Sequence, residues 1–307
     1  MRPLFALTAL VLISTAGAGA VKAPRTVAKI VSGTFGARPC AGVEAFGFEW
    51  VTNYGDSTLV RIDPATNRVR GRAIRLGASP CGIAAGAGSI WIDGYGSNTV
   101  ERVSPTSLRV VRRIAVGRAP YDVAFGFGSV WATNNGDGTV SRIDPRTNRV
   151  TRTIRTGGGP AGLSVAAGSV WVGSTSDAFL RRIDPATNRV TRIRIGPRTP
   201  AWLAATDDAV WIANVGSNTV SRVDPAANRV VATIRVGAQP VDGAIGPDGL
   251  VWIPNRGDNS VSRIDPATNA VVDTFPVGPT PFVLNTAFGD VWAPSYGGRD
   301  VWRLSVD

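Results

Sequence analysis

Short stretches of alternating apolar and polar residues, four to each segment of 40 or 41 residues, run from residue 26 to residue 307. Alternation over four to seven residues is the signature of half-buried strands. The repeat is marked by tryptophan, at Trp50, Trp91, Trp131, Trp171, Trp211, Trp252 and Trp292. One unit shows the design. A Gly-x-x-Pro loop precedes an apolar run, Tyr121 to Phe125, and the Gly-rich turn Phe125 to Ser129 leads into the Val-Trp strand. The loop Asn134 to Gly138 leads to a third strand, Thr139 to Ile143, and Asp144-Pro145-Arg146-Thr147-Asn148 turns the chain into a fourth, Val150 to Thr156. Proline presets the second turn position, and asparagine tolerates the left-handed conformation that leaves such a turn. No segment carries a helical period, so the class is all-β.

Four strands per unit of about 40 residues describe a propeller blade. The loop proline recurs at Pro39, Pro80, Pro120, Pro160, Pro200, Pro240 and Pro281, which predicts seven four-stranded blades. The last unit ends on a third strand, Val301 to Val306, while an orphan run, Thr26 to Val31, precedes the first. Pairing the two completes the last blade, closes the ring and removes an open sheet edge.

The run Trp50-Val51-Thr52-Asn53, continuing YGDSTLVRIDPATNRV, closely resembles the YVTN-type β-propeller repeat, with Trp in place of the leading Tyr. The resemblance spans 26–307 and implies a seven-bladed propeller of the kind found in surface and secreted proteins. More distantly similar are streptogramin B lyases, lactonases and a nucleic-acid-binding periplasmic propeller. The lyases use histidine and glutamate with a divalent metal. This chain contains no histidine, so their chemistry cannot be inherited, and Ser-His-Asp, Cys-His and His-ligated metal sites are excluded within one chain. A carboxylate or tyrosine base remains open.

Residues 1–20 read as a secretory signal peptide: Arg2, an apolar run from Leu4 to Ile13, and Ala18-Gly19-Ala20 as the cleavage site. The expected mature chain, 21–307, is a single propeller domain, exported to the periplasm, cell surface or medium, with no transmembrane segment, and monomeric. Its charge is basic, +11 for the full sequence, with 33 cationic residues of which all but Lys22 and Lys29 are arginine. Such a charge suits an anionic polymer, nucleic acid included. Equally, arginine on solvent-facing strands blocks edge-to-edge association.

Candidate chemistry falls on slots where one blade departs from the rest. Asp122 and Asp242 stand two residues after their loop prolines, where Gly82, Gly162 and Trp202 stand elsewhere. From blades three and six they can approach one ligand across the channel, as cation ligands or an acid/base pair, or simply cap their turns. Glu44 occupies an inner-strand slot that is otherwise uncharged, where it faces the interior or the channel as a channel-lining acid or ligand, or else lies on a solvated rim or pairs with an arginine. Tyr121, Trp202 and Phe282 gather near the axis, with Tyr54, Tyr95 and Tyr296 on the loops after Trp and Arg38, Arg118 and Arg198 nearby. Aromatic faces beside arginines suit a sugar ring, a planar ligand or a nucleobase, or else plug the channel. Cys40 and Cys81 follow the loop prolines of adjacent blades and are placed to form a disulfide in an exported chain.

Arg61, Arg102, Arg142, Arg182, Arg222, Arg263 and Arg303 occur once per blade, five of them followed two residues later by Asp63, Asp144, Asp184, Asp224 or Asp265. A feature repeated in every blade is structural, and pairing of these arginines with the aspartates between adjacent sheets is expected. The leading functional expectation is a secreted, non-catalytic binding or scaffold propeller that takes a small molecule or glycan at the channel entrance, with no obligatory cofactor. A carboxylate-dependent lactonase- or lyase-like enzyme and a polyanion-binding arginine surface are the alternatives.

Overall fold

The computed structural model describes residues 21–196 and 199–307; the segment 1–20, expected from the sequence to be a signal peptide, and Arg198 lie outside the described residues. The chain is all-β and forms a seven-bladed propeller of antiparallel sheets. Blade three is representative: Pro120–Gly126, Ser129–Asn134, Thr139–Asp144 and Arg149–Arg155 run from the axis outward. In blade one the outer strand is broken into Arg68–Val69 and Ile74–Arg75, at the place where its repeat is one residue longer than that of blade three. Blade seven takes its outer strand from the N-terminal side, Arg25–Val31, which pairs antiparallel with Asp300–Ser305 from Arg25↔Ser305 to Val31↔Asp300. Ring closure therefore runs through this pairing.

The core is divided into layers between blades. Alternation sends every second side chain of the inner three strands toward one neighbour and the rest toward the other. Seven apolar clusters result, one per blade interface. Between blades two and three, for example, Trp91, Val100 and Ile114 meet Val123, Val130 and Ile143. The seven repeat tryptophans are all buried in these layers. Five donate the indole N–H to the backbone carbonyl five residues before, as Trp91 does to Gly86 at 2.9 Å, so burial of the ring leaves no polar atom without a partner.

The repeat arginines lie over these rings and join blades, but their partners differ from those the sequence suggested. Arg142 stacks on Trp131 at 4.8 Å and donates Nη1 to the Pro185 carbonyl (2.6 Å) and Asn188 Oδ1 (3.2 Å) in the turn of the next blade. Arg102, Arg182, Arg222 and Arg303 repeat the arrangement, the last reaching Pro64 and Asn67 across the closure. No ion pair among the described residues joins a repeat arginine to the aspartate two residues on. Each of those aspartates is occupied locally, capping backbone N–H groups of its own turn, as Asp144 does for Arg146 at 2.8 Å.

The two exceptions follow from the same rule. Arg61 makes no hydrogen bond to the blade-two turn, where Leu108 replaces asparagine in the left-handed position (φ 55°); its Nε donates to the Arg70 carbonyl (3.3 Å) and its guanidinium lies over Phe48. In blade seven no turn links the third and outer strands, and Arg263, fully buried, pairs with Asp248 and Asp273 and donates to the Lys22 carbonyl.

Candidate functional site

Two loops per blade open on one face: the Gly-x-x-Pro loop and the loop after the tryptophan strand. Side chains carried where these loops meet the inner strands point toward the axis and form an eighth apolar cluster containing Cys40, Cys81, Trp202 and Phe282. Six aromatic rings make a continuous path around the entrance. Tyr95 meets Tyr121 edge-on (5.4 Å), and Tyr121 stacks on Trp202 (5.2 Å, 28°). Trp202 meets Phe282 edge-on (5.0 Å), and Tyr296 joins Phe282 to Tyr54 (5.5 Å each). All four tyrosines of the chain stand in this path. They enclose a cup of about 210 Å³.

The backbone at Trp202 packs closely on Gly162: a Cβ there would lie 2.9 Å from the Ala201 carbonyl oxygen, 3.0 Å from the Trp202 Cα and 3.2 Å from its ring. A Cβ on Gly82 would likewise come within 2.6 Å of Asp122 Oδ1. Glycines on one blade thus allow the inner strand of the next to approach closely. Beside the cup, Cys40 and Cys81 form a disulfide joining blades one and two, Cα–Cα 5.2 Å. Thr52 of blade one donates its hydroxyl to the Cys81 carbonyl (2.7 Å), and the Cys81 N–H donates to Asp93 Oδ1 (2.9 Å).

Tyr121 and Trp202 also line a second cavity of about 420 Å³, the channel, with Asp122 and Asp242. They therefore separate cup from channel. Asp122 accepts from its neighbour's N–H, Val123 (2.8 Å), and from Leu163 of blade four (2.7 Å). Burial raises its pKa from the ordinary 3.8 to about 7, against these hydrogen bonds. Asp242 is also raised well above the ordinary value, by burial first and then by the Asp122 charge across the channel. Both remain half-buried by surface area because they face the channel opening; the apolar walls account for the desolvation. Among the described residues no group of three or more His, Cys, Asp or Glu is arranged to hold a metal ion. Burial, and then Tyr95, push the Tyr121 hydroxyl up to about 12, which makes it a hydrogen-bond donor at neutral pH and not a base.

Glu44 is not in this site. It is exposed and accepts the Phe288 N–H of blade seven at 2.7 Å, because it sits at the far end of its strand beside the Phe46-Gly47 turn. The buried glutamate is Glu49, inside the blade-seven interface, its pKa raised by desolvation and lowered in part by Asn285. Arg118 turns away to Asp137 (2.7 Å) and the Gly136 carbonyl, while Arg38 lies over Tyr296 at 5.8 Å on the rim. The sequence reading missed two charged residues that line the cup, Asp93 and Arg256. The signal was available: the fourth residue after each repeat tryptophan is Tyr54, Tyr95, Asn135, Thr175, Val215, Arg256 or Tyr296, and the second is aspartate only at Asp93.

No protein-family model matches the chain, and no curated protein matches it. Its structure is similar to that titled streptogramin B lyase, TM-score 0.79 at 14% identity, over 91% of this chain and 96% of that one. It is similar to virginiamycin B lyase from Staphylococcus aureus, TM-score 0.77 at 15% identity, over 92% and 98%. The WD40 propeller domain of Doa1 superposes with a TM-score of 0.80 at 11% identity, over 92% and 97%. At these identities the likeness establishes the fold and leaves activity to the site: the chain is a seven-bladed β-propeller.

Proposed function

We propose that this chain is a secreted, non-catalytic binding propeller that holds a compact ring-bearing molecule in the aromatic cup at the channel mouth. The observation that carries this reading is the six-ring path around a cavity of about 210 Å³. That volume suits one ring with short substituents, below the usual range of drug-sized pockets. The repeat framework requires none of these rings, since the blades are already packed by the seven buried tryptophans. Aromatic faces bind sugar rings and planar molecules through apolar contact and their quadrupoles. Export fits the disulfide, and no helix among the described residues is long and apolar enough to cross a membrane.

A carboxylate-dependent enzyme remains the second reading, favoured by Asp122, whose pKa of about 7 suits proton transfer. Tyr121 and Trp202 separate that carboxylate from the cup, so ligand retention there does not involve it. Polyanion binding is left to the exposed outer-strand arginines such as Arg152 and Arg155; five repeat arginines are engaged with neighbouring blades.

The test is titration of residues 21–307 with monosaccharides and nucleosides, followed by tryptophan fluorescence. At least one ring compound is expected to saturate the signal, and the double variant Trp202→Leu/Tyr121→Leu should bind it at least about tenfold more weakly while still melting cooperatively. Unchanged affinity in the folded variant would move the site elsewhere.

A further inference from the structure

The cup contains one carboxylate and one guanidinium, and neither has an ion-pair partner among the described residues. Asp93 is 1% exposed. Its Oδ1 accepts the Cys81 N–H, and its Oδ2 is buried with no hydrogen-bond partner. A carboxylate oxygen in that position is costly unless a donor arrives. Arg256 lines the same cavity, its Nε held by Gln239 Oε1 at 3.0 Å and its guanidinium 6.0 Å from the centre of the Phe282 ring. That single anchor orients the group and leaves both terminal nitrogens without a hydrogen-bond partner among the described residues. Burial raises the Asp93 pKa well above its ordinary value where no donor is bound at Oδ2; this carboxyl and the guanidinium line one small cavity without pairing with each other, and aromatic rings surround them.

Resting on the ring-binding reading above, we infer that the ligand is a zwitterion of the amino-acid class: its ammonium donates to Asp93, its carboxylate is held by Arg256, and its ring or side chain lies among the aromatic walls. Each part answers an observation. An N–H donor completes Asp93 Oδ2. The guanidinium presents paired donors whose geometry matches a carboxylate. Aromatic faces of Tyr121, Tyr95 and Trp202 favour the cationic end of the ligand as well as its ring. A simple anion would leave Asp93 unpartnered, and a simple cation would leave Arg256 unused. Specificity in such a site comes from what the buried group loses when the ligand lacks the matching atom.

Four related probes separate these contributions in the unaltered protein: L-phenylalanine, 2-phenylethylammonium, 3-phenylpropanoate and 2-phenylethanol. L-phenylalanine is expected to bind at least about tenfold more tightly than either singly charged compound, with 2-phenylethanol weakest. Asp93→Asn, which keeps the acceptor for Cys81, should erase the preference over 3-phenylpropanoate only. Arg256→Gln should erase the preference over 2-phenylethylammonium only. Equal affinity for all four probes would overturn the charge assignment and leave a ring site in place. Binding of neutral sugar rings but of none of the four would also overturn it, with the ring-binding reading intact. Failure of every ring compound would remove both.

Discussion

Deleting residues 21–31, so that the chain begins at Ser32, is expected to abolish cooperative folding of the propeller at 37 °C. The deletion removes the outer strand of blade seven and with it the ladder from Arg25↔Ser305 to Val31↔Asp300. It also removes Ile30, 4% exposed, from the cluster that joins blades seven and one, the Lys29 ammonium 3.8 Å from the Trp302 ring, and the Lys22 carbonyl that accepts from buried Arg263. Six paired positions and one large apolar side chain together represent on the order of 5–10 kcal/mol, comparable with the whole stability of an ordinary domain. The newly exposed edge, Asp300–Ser305, is a template for pairing with a second chain. Circular dichroism melts and light scattering read both consequences. A synthetic peptide covering 21–32 should restore a cooperative transition by adding the missing strand. A melting temperature equal to that of the intact chain would show that the ring holds without its N-terminal strand.

Replacing Asp242 by asparagine is expected to stabilise the protein above pH 7 and to change little near pH 4. The sign follows from linkage. A carboxyl whose folded pKa lies above its unfolded value binds its proton more tightly when folded, so its favourable contribution is complete below the unfolded value and is lost as pH rises through the folded one. For Asp122 that window runs from about 3.8 to about 7, and Asp242 is displaced in the same direction, in part by the Asp122 charge. For Asp122 the displacement corresponds to at most ~4 kcal/mol, which solvent access through the channel reduces to roughly 2 kcal/mol. The variant removes the Asp242 carboxyl and with it the repulsion that the Asp122 charge exerts on it. At pH 8 its melting temperature should rise by several degrees. The turn-capping aspartates, whose pKa values are lowered, destabilise in the opposite direction on acidification, but they are common to both proteins and cancel in the comparison. A lower melting temperature for the variant at pH 8 would mean that Asp242 is held in its charged form by a partner.

The architecture was legible in the sequence because every blade restates it. The tryptophan period, the Gly-x-x-Pro loops and the asparagines that end each Asp-Pro turn with φ between 52 and 60° carry local instructions that agree with the global ring. The closing strand could be read from a fourth strand missing at one end and present at the other. Aromatic positions near the axis were equally readable, since Trp202 breaks the repeat. What was hidden has a common cause. Whether Arg142 pairs with an aspartate or with a proline carbonyl and asparagine of the next turn depends on the offset between neighbouring blades, which alternation along one strand does not specify. Glu44 and Glu49 are direct cross-strand partners, one exposed on the innermost strand and the other buried in an interface one strand further out, and alternation along a strand does not distinguish them. Asp93 and Arg256 escaped because each departs from its slot in a single blade, and the cup that gives them meaning is assembled from side chains far apart in the chain.

The most direct measurement is a crystal structure of residues 21–307 grown with L-phenylalanine, a monosaccharide and a nucleoside together. Density for one of them in the cup, against Tyr121 and Trp202 and within reach of Arg256, is the expected result. A cup left empty while a compound occupies the channel beside Asp122 and Asp242, or the outer arginine strands, would contradict assignment of the aromatic cup as the ligand site.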